Sequence, residues 1–174
     1  LPGRHNIENT LAAAAAARLA GAPLDGIRKG VRSFPGVEHR LEFVREVDGV
    51  KYYNDSKATN VDATRKAVDA FAGGLWIILG GKDKGSDYTP LAGPLQQKAK
   101  GVLLIGAAAS MVEAQLQGSA PFIRAGTLEA AIGHARQHAA ACDIVLLAPA
   151  CASFDQFENY EHRGRVFKTL VGEL

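Results

Sequence analysis

Two uninterrupted apolar runs, Leu75-Trp76-Ile77-Ile78-Leu79 and Ile144-Val145-Leu146-Leu147, stand out along the chain. Such runs suit strands covered by helices on both faces, and so predict a mainly parallel sheet. Val102–Ile105 and a weaker Phe122–Arg124 read as further strands. Helical periodicity falls near Val61–Phe71, Pro90–Ala99, Ser110–Gln117 and Leu128–Ala140, with one or two more helices expected from Asp155 to Leu170. Ahead of this alternation, Leu41–Val47 and Val50–Asn54 flank Asp48-Gly49, a strong short-range hairpin signal.

The first part of the chain has a different period. His5 to Ala20 reads as one helix with Gly21 as its stop. A second, Leu24 to Phe34, follows Pro23 and places Ile27, Val31 and Phe34 on one face. The turn cluster Phe34-Pro35-Gly36-Val37-Glu38 is the best candidate boundary. The whole predicts an α/β, doubly wound, mainly parallel sheet with an N-terminal β-hairpin and a preceding helical segment.

Composition narrows the function classes. The 174 residues are 47% hydrophobic and 22% charged, which excludes disorder and suits one domain, or one plus a fragment. Twenty basic against 18 acidic residues leave a formal charge of +2, no electrostatic footprint for nucleic acid. No stretch approaches the roughly 18 apolar residues of a membrane span. Leu11 to Ala20 is short, Ala-dominated and interrupted by Arg18, and no basic segment marks it as a signal peptide. Cys142 and Cys151 lack any C-x-x-C spacing, so both are expected as reduced thiols of a cytosolic protein. The first residue is Leu1 rather than Met, and the chain is expected to begin inside a larger protein.

In an open parallel sheet, ligands gather at the carboxyl ends of the strands. Three loops expected there are sharply patterned: Asn54-Asp55-Ser56-Lys57-Ala58-Thr59-Asn60, Gly80-Gly81-Lys82-Asp83-Lys84-Gly85-Ser86-Asp87 and Pro149-Ala150-Cys151-Ala152-Ser153-Phe154-Asp155. Hydroxyls, ammonium groups and free N–H groups at helix starts suit a small substrate with one or two carboxylates, or a phosphate. Each loop alone has a structural reading. Asp55, Ser56, Thr59 and Asn60 are all helix-capping types, Gly80-Gly81 is a turn by itself, and Lys82 and Lys84 suit solvent. Three together favour a site.

Several motifs are excluded. Gly81-Lys82 runs into Asp83 without the upstream glycine of a P-loop, and no G-x-G occurs. His134 and His138 have helical zinc spacing, but Ala-Arg-Gln separates them, so they read as surface histidines. Ser153, His162 and Asp155 lack a G-x-S-x-G elbow. Phe154, Phe157 and Tyr160 read as core or pocket wall.

Five strings carry a family resemblance: Gly3-Arg4-His5-Asn6-x-x-Asn9-x-Leu11-Ala12-Ala13, His39-Arg40, Asp55-Ser56-Lys57-Ala58-Thr59-Asn60, Gly80-Gly81-x-x-Lys84 and Pro149-Ala150-Cys151-Ala152-Ser153-x-Asp155-Gln156-Phe157. Over essentially its whole length the chain resembles the Mur ligases, and the third and fifth strings are specific to the member that adds D-glutamate. The resemblance implies a helical tail of the central ATPase domain over residues 1–35 and a C-terminal Rossmann-like ligase domain over 36–174. It implies an ATP-dependent, ADP-forming ligase of peptidoglycan precursor synthesis in the bacterial cytoplasm. Such an enzyme joins D-glutamate to UDP-N-acetylmuramoyl-L-alanine through an acyl phosphate, as a monomer acting on small molecules, without nucleic-acid or membrane partners.

By the same resemblance, Lys84, Thr59, Ser153 and the backbone after Phe154 hold D-glutamate, with Lys57 and Tyr160 nearby, and Lys82 remains an alternative to Lys84. Asn6, Asn9, His39, Arg40 and Asp55 face the nucleotide. The P-loop and the Mg2+ ligands are expected upstream of Leu1, with no metal ligand and no certain catalytic residue in this chain, which alone should not turn over. Two alternatives are another Mur or folylpolyglutamate-type ligase and a non-catalytic nucleotide-binding regulatory module. The D-N-P-R string of the diaminopimelate-adding member is absent.

Overall fold

The computed structural model describes residues 2–174, apart from the side chain of His5, so that member of the His5-Asn6 string lies outside the described residues. Two helices, α1 (Arg4–Leu19) and α2 (Leu24–Ser33), precede the sheet. Gly21, with φ +90°, breaks the first, and Pro23 sits at the N-cap of the second. An antiparallel hairpin follows, β1 (Glu42–Val47) and β2 (Val50–Asn54), turning through Asp48 and Gly49, both in the left-handed region. Hairpin turns of this hand match the twist of the strands they join.

From there strands and helices alternate: α3 (Val61–Asp69), β3 (Leu75–Gly80), α4 (Ala92–Lys98), β4 (Ala99–Ile105), α5 (Ala109–Gln115), β5 (Phe122–Gly126), α6 (Leu128–His138), β6 (Ile144–Leu147) and α7 (Tyr160–Gly172). The sheet order is β1-β2-β6-β3-β4-β5, and every pairing except β1–β2 is parallel. The mainly parallel, doubly wound sheet read from the apolar runs is therefore present.

Side chains alternate between two cores. Leu75, Ile77 and Leu79 of β3 join Val68 and Phe71 at α3, Leu95 of α4 and Val112 of α5 on one face. Trp76 and Ile78 point to the other, with Ile132 of α6 and Phe167 and Val171 of α7. Burial of both faces explains why β3 has no polar position, since each of its residues is enclosed.

Between Asp155 and the chain end there is one helix, which starts at Tyr160 because Asn159 caps it by accepting from His162 N. Residues 155–159 form turns. Phe154 departs from its expected place in a core or pocket wall: it is 67% exposed, in the turn after β6, and packs in neither core. Phe157 packs against the second core as expected.

Candidate functional site

β6 lies between β2 and β3, so the three patterned loops leave adjacent strands at the same sheet end. Backbone hydrogen bonds then join them. Ala150 N donates to Ala58 O at 2.9 Å, linking the loops after β6 and β2. Lys82 and Ala152 exchange N–H···O bonds of 2.9 and 3.1 Å, linking the loops after β3 and β6. Successive connections depart in opposite directions here, from β6 to α7 over β1 and β2, and from β3 to α4 beside β4. This is the switch point where open α/β sheets bind ligands.

Close backbone approach requires the glycines. Gly80 and Gly81 have φ of +117° and +136°. A Cβ on Gly80 would strike the Ile105 carbonyl, and one on Gly81 the Ala152 carbonyl. Just beyond, Asp83 accepts from Gly85 N and Ser86 N and from the Tyr88 hydroxyl at 2.7 Å. The Tyr88 oxygen also lies 2.9 Å from Cys151 Sγ, so the Lys84 turn is tied to the β6 loop. These bonds hold the Asp83 carboxyl below its ordinary value, whereas burial first, with the Tyr88 contact opposing, pushes the Cys151 thiol up.

In the first loop, Asn60 caps α3 by accepting from Ala63 N, so capping accounts for that residue and leaves Asp55, Ser56 and Thr59 to other roles. Asp55 is buried, accepts from Leu41 N at 3.1 Å, and is pushed up to about 6 chiefly by burial. Lys57 Nζ sits 3.9 Å from the centre of the Tyr160 ring, a cation–π contact.

Of the residues assigned to D-glutamate, Thr59, Lys57, Lys84, Ser153, Phe154 and Tyr160 lie on or beside the joined loops. Lys82 and Lys84 are exposed, Thr59 and Tyr160 half-buried, and Ser153 buried. Ser153, His162 and Asp155 make no mutual hydrogen bond among the described residues, for Asp155 accepts from Ala107 N and His162 faces Glu158 N.

The residues assigned to the nucleotide are spread more widely. Asn6 and Asn9 lie on α1, where Asn6 Nδ2 donates to Pro2 O and Asn9 is exposed. Arg40 is exposed, while its neighbour His39 is buried against Gly164 of α7, where a Cβ would strike Nδ1. Asn54 Nδ2 lies 2.9 Å from His39 Nδ1, and burial pushes the imidazole below its ordinary value against the opposing pull of Glu38 and Glu42.

Glu38, His39 and Glu42 form one group whose ligand atoms all lie within 4.8 Å of one another. Lys168 Nζ already bridges the two carboxylates at 3.0 and 2.7 Å. That ion-paired cluster does not fit Mg2+, which takes six oxygen ligands in octahedral array. His134 and His138 stack on each other at 4.0 Å beside Trp76. No helix among the described residues is long and apolar enough to cross a membrane, and both cysteines are free.

Sequence reasoning missed Arg163. Its side chain is fully buried and donates to Ser56 Oγ at 3.0 Å, Ser56 O at 2.9 Å and Cys151 O at 3.2 Å. Burial pushes it down to about 10, still charged at neutral pH. A signal was available: Arg163, Phe167 and Val171 stand at helical spacing on the buried face of α7, so a charge occupies a core position.

Residues 39–151 match the family model of the Mur ligase, glutamate ligase domain, which spans the hairpin and two of the three joined loops whole. The chain belongs to the Mur ligase family. Relatives within it include the UDP-N-acetylmuramoylalanine–D-glutamate ligases of Solibacter usitatus, 63% identical over 99% of this chain, and of Myxococcus xanthus, 49% identical over all of it. The chain spans 39% and 38% of the length of these two Mur ligases.

Among solved structures, UDP-N-acetylmuramate-alanine ligase MurC from Thermotoga maritima superposes with a TM-score of 0.69 at 17% identity, covering 99% of this chain and 39% of that one. E. coli FolC in complex with ADP gives 0.67 at 18% identity, covering 95% and 39%. At these identities the likeness is one of fold, and it extends the mainly parallel α/β architecture across the Mur ligases and FolC.

Proposed function

We propose that the chain is the C-terminal part of an ATP-dependent UDP-N-acetylmuramoyl-L-alanine:D-glutamate ligase of bacterial peptidoglycan precursor synthesis, the part that binds D-glutamate and closes over ATP. The observation that carries this reading is the joining of three loops at one sheet end, from β2, β6 and β3. Identity of 63% to a relative named for D-glutamate ligation supports it over a folylpolyglutamate-type reading. Residues 1–35 are then the tail of the central ATPase domain. The exposure of Leu24, Val31 and Phe34 supports a covering partner for α2, which buries none of its own residues.

In this reaction a terminal phosphoryl group passes from ATP to the alanyl carboxylate, giving an acyl phosphate and ADP. The D-glutamate amine attacks the acyl carbon, and the tetrahedral intermediate expels phosphate as the amide forms. The chain's own groups bind and orient the acidic nucleophile. Lys84 provides a point charge for one carboxylate, with the Thr59 and Ser153 hydroxyls and the Phe154 loop backbone as neutral donors. Lys57, held over Tyr160, adds a second positive charge on the same side. Orientation of the amine turns a bimolecular encounter into a local one, and closure keeps water from the acyl phosphate. Arg40 suits the ATP phosphates and Asp55 the ribose hydroxyls, while Asn6, Asn9 and His39 are assigned to the nucleotide by the family resemblance. ATP needs Mg2+, whose ligands belong to the upstream domain in this reading.

Lys84→Ala in the full-length ligase tests the assignment. Loss of one charge-assisted contact, about 1.5–3 kcal/mol, should raise the KM for D-glutamate roughly 10- to 150-fold with the KM for ATP little changed. An unchanged D-glutamate KM removes Lys84 from the site and leaves Lys82 as the cation to examine.

A further inference from the structure

Arg163 is the largest fully buried side chain of the described molecule, and its surroundings are unusual for a buried charge. Its three hydrogen bonds go to a hydroxyl and two carbonyl oxygens, all neutral. No carboxylate lies within ion-pairing distance among the described residues. Asp155, the one carboxylate that bears on it, accepts instead from Ala107 N. The contrast with Asp143 is direct: that buried carboxylate has Lys100 at 2.6 Å, with Ala140 N and the Trp76 indole as further donors. A buried charge is costly unless compensated, and neutral acceptors compensate only part of it.

The acceptors are also telling by position. Ser56 stands in the loop after β2, three residues before Thr59, and Cys151 in the loop after β6, two residues before Ser153. One planar guanidinium therefore grips both loops from beneath. Ser56 Oγ passes the network on to Tyr160 O at 2.8 Å, the first residue of α7. A flexible ammonium cannot reproduce that fork.

We propose that Arg163 is a positioning residue for the acidic amino acid: its fork holds the Ser56 and Cys151 loops in register, and its unpaired charge supplies a sealed positive field that a dianionic substrate neutralises. This rests on the D-glutamate reading above. A fixed charge behind a site favours an anion without reorganising when the ligand arrives. Lys57, over the Tyr160 ring at the start of α7, adds a second cation beside the same loop.

The test is steady-state kinetics of the full-length ligase carrying Arg163→Lys or Arg163→Met, with KM and kcat for D-glutamate, ATP and the UDP-linked substrate. Arg163→Met should raise the D-glutamate KM about 30-fold or more, with the ATP KM within about threefold of wild type. Arg163→Lys keeps the charge and loses the fork, so its D-glutamate KM should rise selectively by about 3- to 10-fold. Equal D-glutamate KM values for the two variants, or a parallel rise for all three substrates, overturns the inference. Where Arg163→Met does not fold, Arg163→Lys decides alone: an unchanged or unselective KM overturns it. A wild-type ligase whose phosphate release ignores D-glutamate overturns the parent reading instead, and this one with it.

Discussion

Asp55 is a buried carboxyl whose ionisation works against the fold. Its carboxyl rises from an ordinary 3.8 to about 6 because burial disfavours the ion more than the Leu41 N–H favours it. The folded state therefore binds the proton more tightly than the unfolded chain. Stability from this group is fully present below about pH 4 and is lost as pH rises through about 6, a difference of about 3 kcal/mol at most. Asp55→Asn keeps an acceptor for Leu41 N and removes the ion. Urea midpoints measured from pH 4 to pH 8 should show the variant gaining on wild type across that window. Parallel curves would mean that Asp55 titrates normally. The Asp-Ser-Lys string is legible as polar loop chemistry, but burial of its aspartate depends on Leu41 folding back from another segment, which no local pattern reports.

At the level of elements, β3 and the turn that follows were readable and α7 was only half so. The β3 run is apolar throughout because helices cover both faces, and the two glycines after it announce a sharp turn. How tight that turn is depends on β4, whose Ile105 carbonyl fills the space a Gly80 side chain would need. Gly80→Ala should cost about 3 kcal/mol or more, from a left-handed φ and a backbone collision together. Thermal unfolding of the purified variant checks it, and a loss below about 1 kcal/mol would show that the β3–β4 approach relaxes freely. In α7 the periodicity locates Phe167 and Val171 inside, whereas Arg163 on the same stripe reads as a solvated charge until Ser56 and Cys151 are seen around it.

For the molecule as a whole, the two leading helices and the sheet behave differently toward solvent. Val31 of α2 is 47% exposed and Phe34, the residue that caps its C-terminus, 53%, although the sequence pattern puts both on one apolar stripe. Val31→Ser should thus change the stability of the present chain by no more than about 0.5 kcal/mol, the range of ordinary surface substitutions. In the full-length ligase the same change should lower the melting temperature of the central domain by several degrees, if α2 packs against that domain. Equal, negligible effects in both proteins would argue against the assignment of residues 1–35 to the ATPase domain.

Local rules sufficed for the strands, the hairpin, most helix positions and the three polar strand-end strings, because periodicity, turn chemistry and capping act over a few residues. Strand order does not follow from such rules. Insertion of β6 between β2 and β3 sets its loop between the other two, and that results from long-range pairing of segments about 90 and about 70 residues apart, Tyr53 with Leu146 and Leu146 with Ile77. The burial of Arg163, His39 and Asp55 was decided in the same way. Whether a polar side chain faces water or protein depends on what the rest of the chain brings to it, and only the assembled fold determines that.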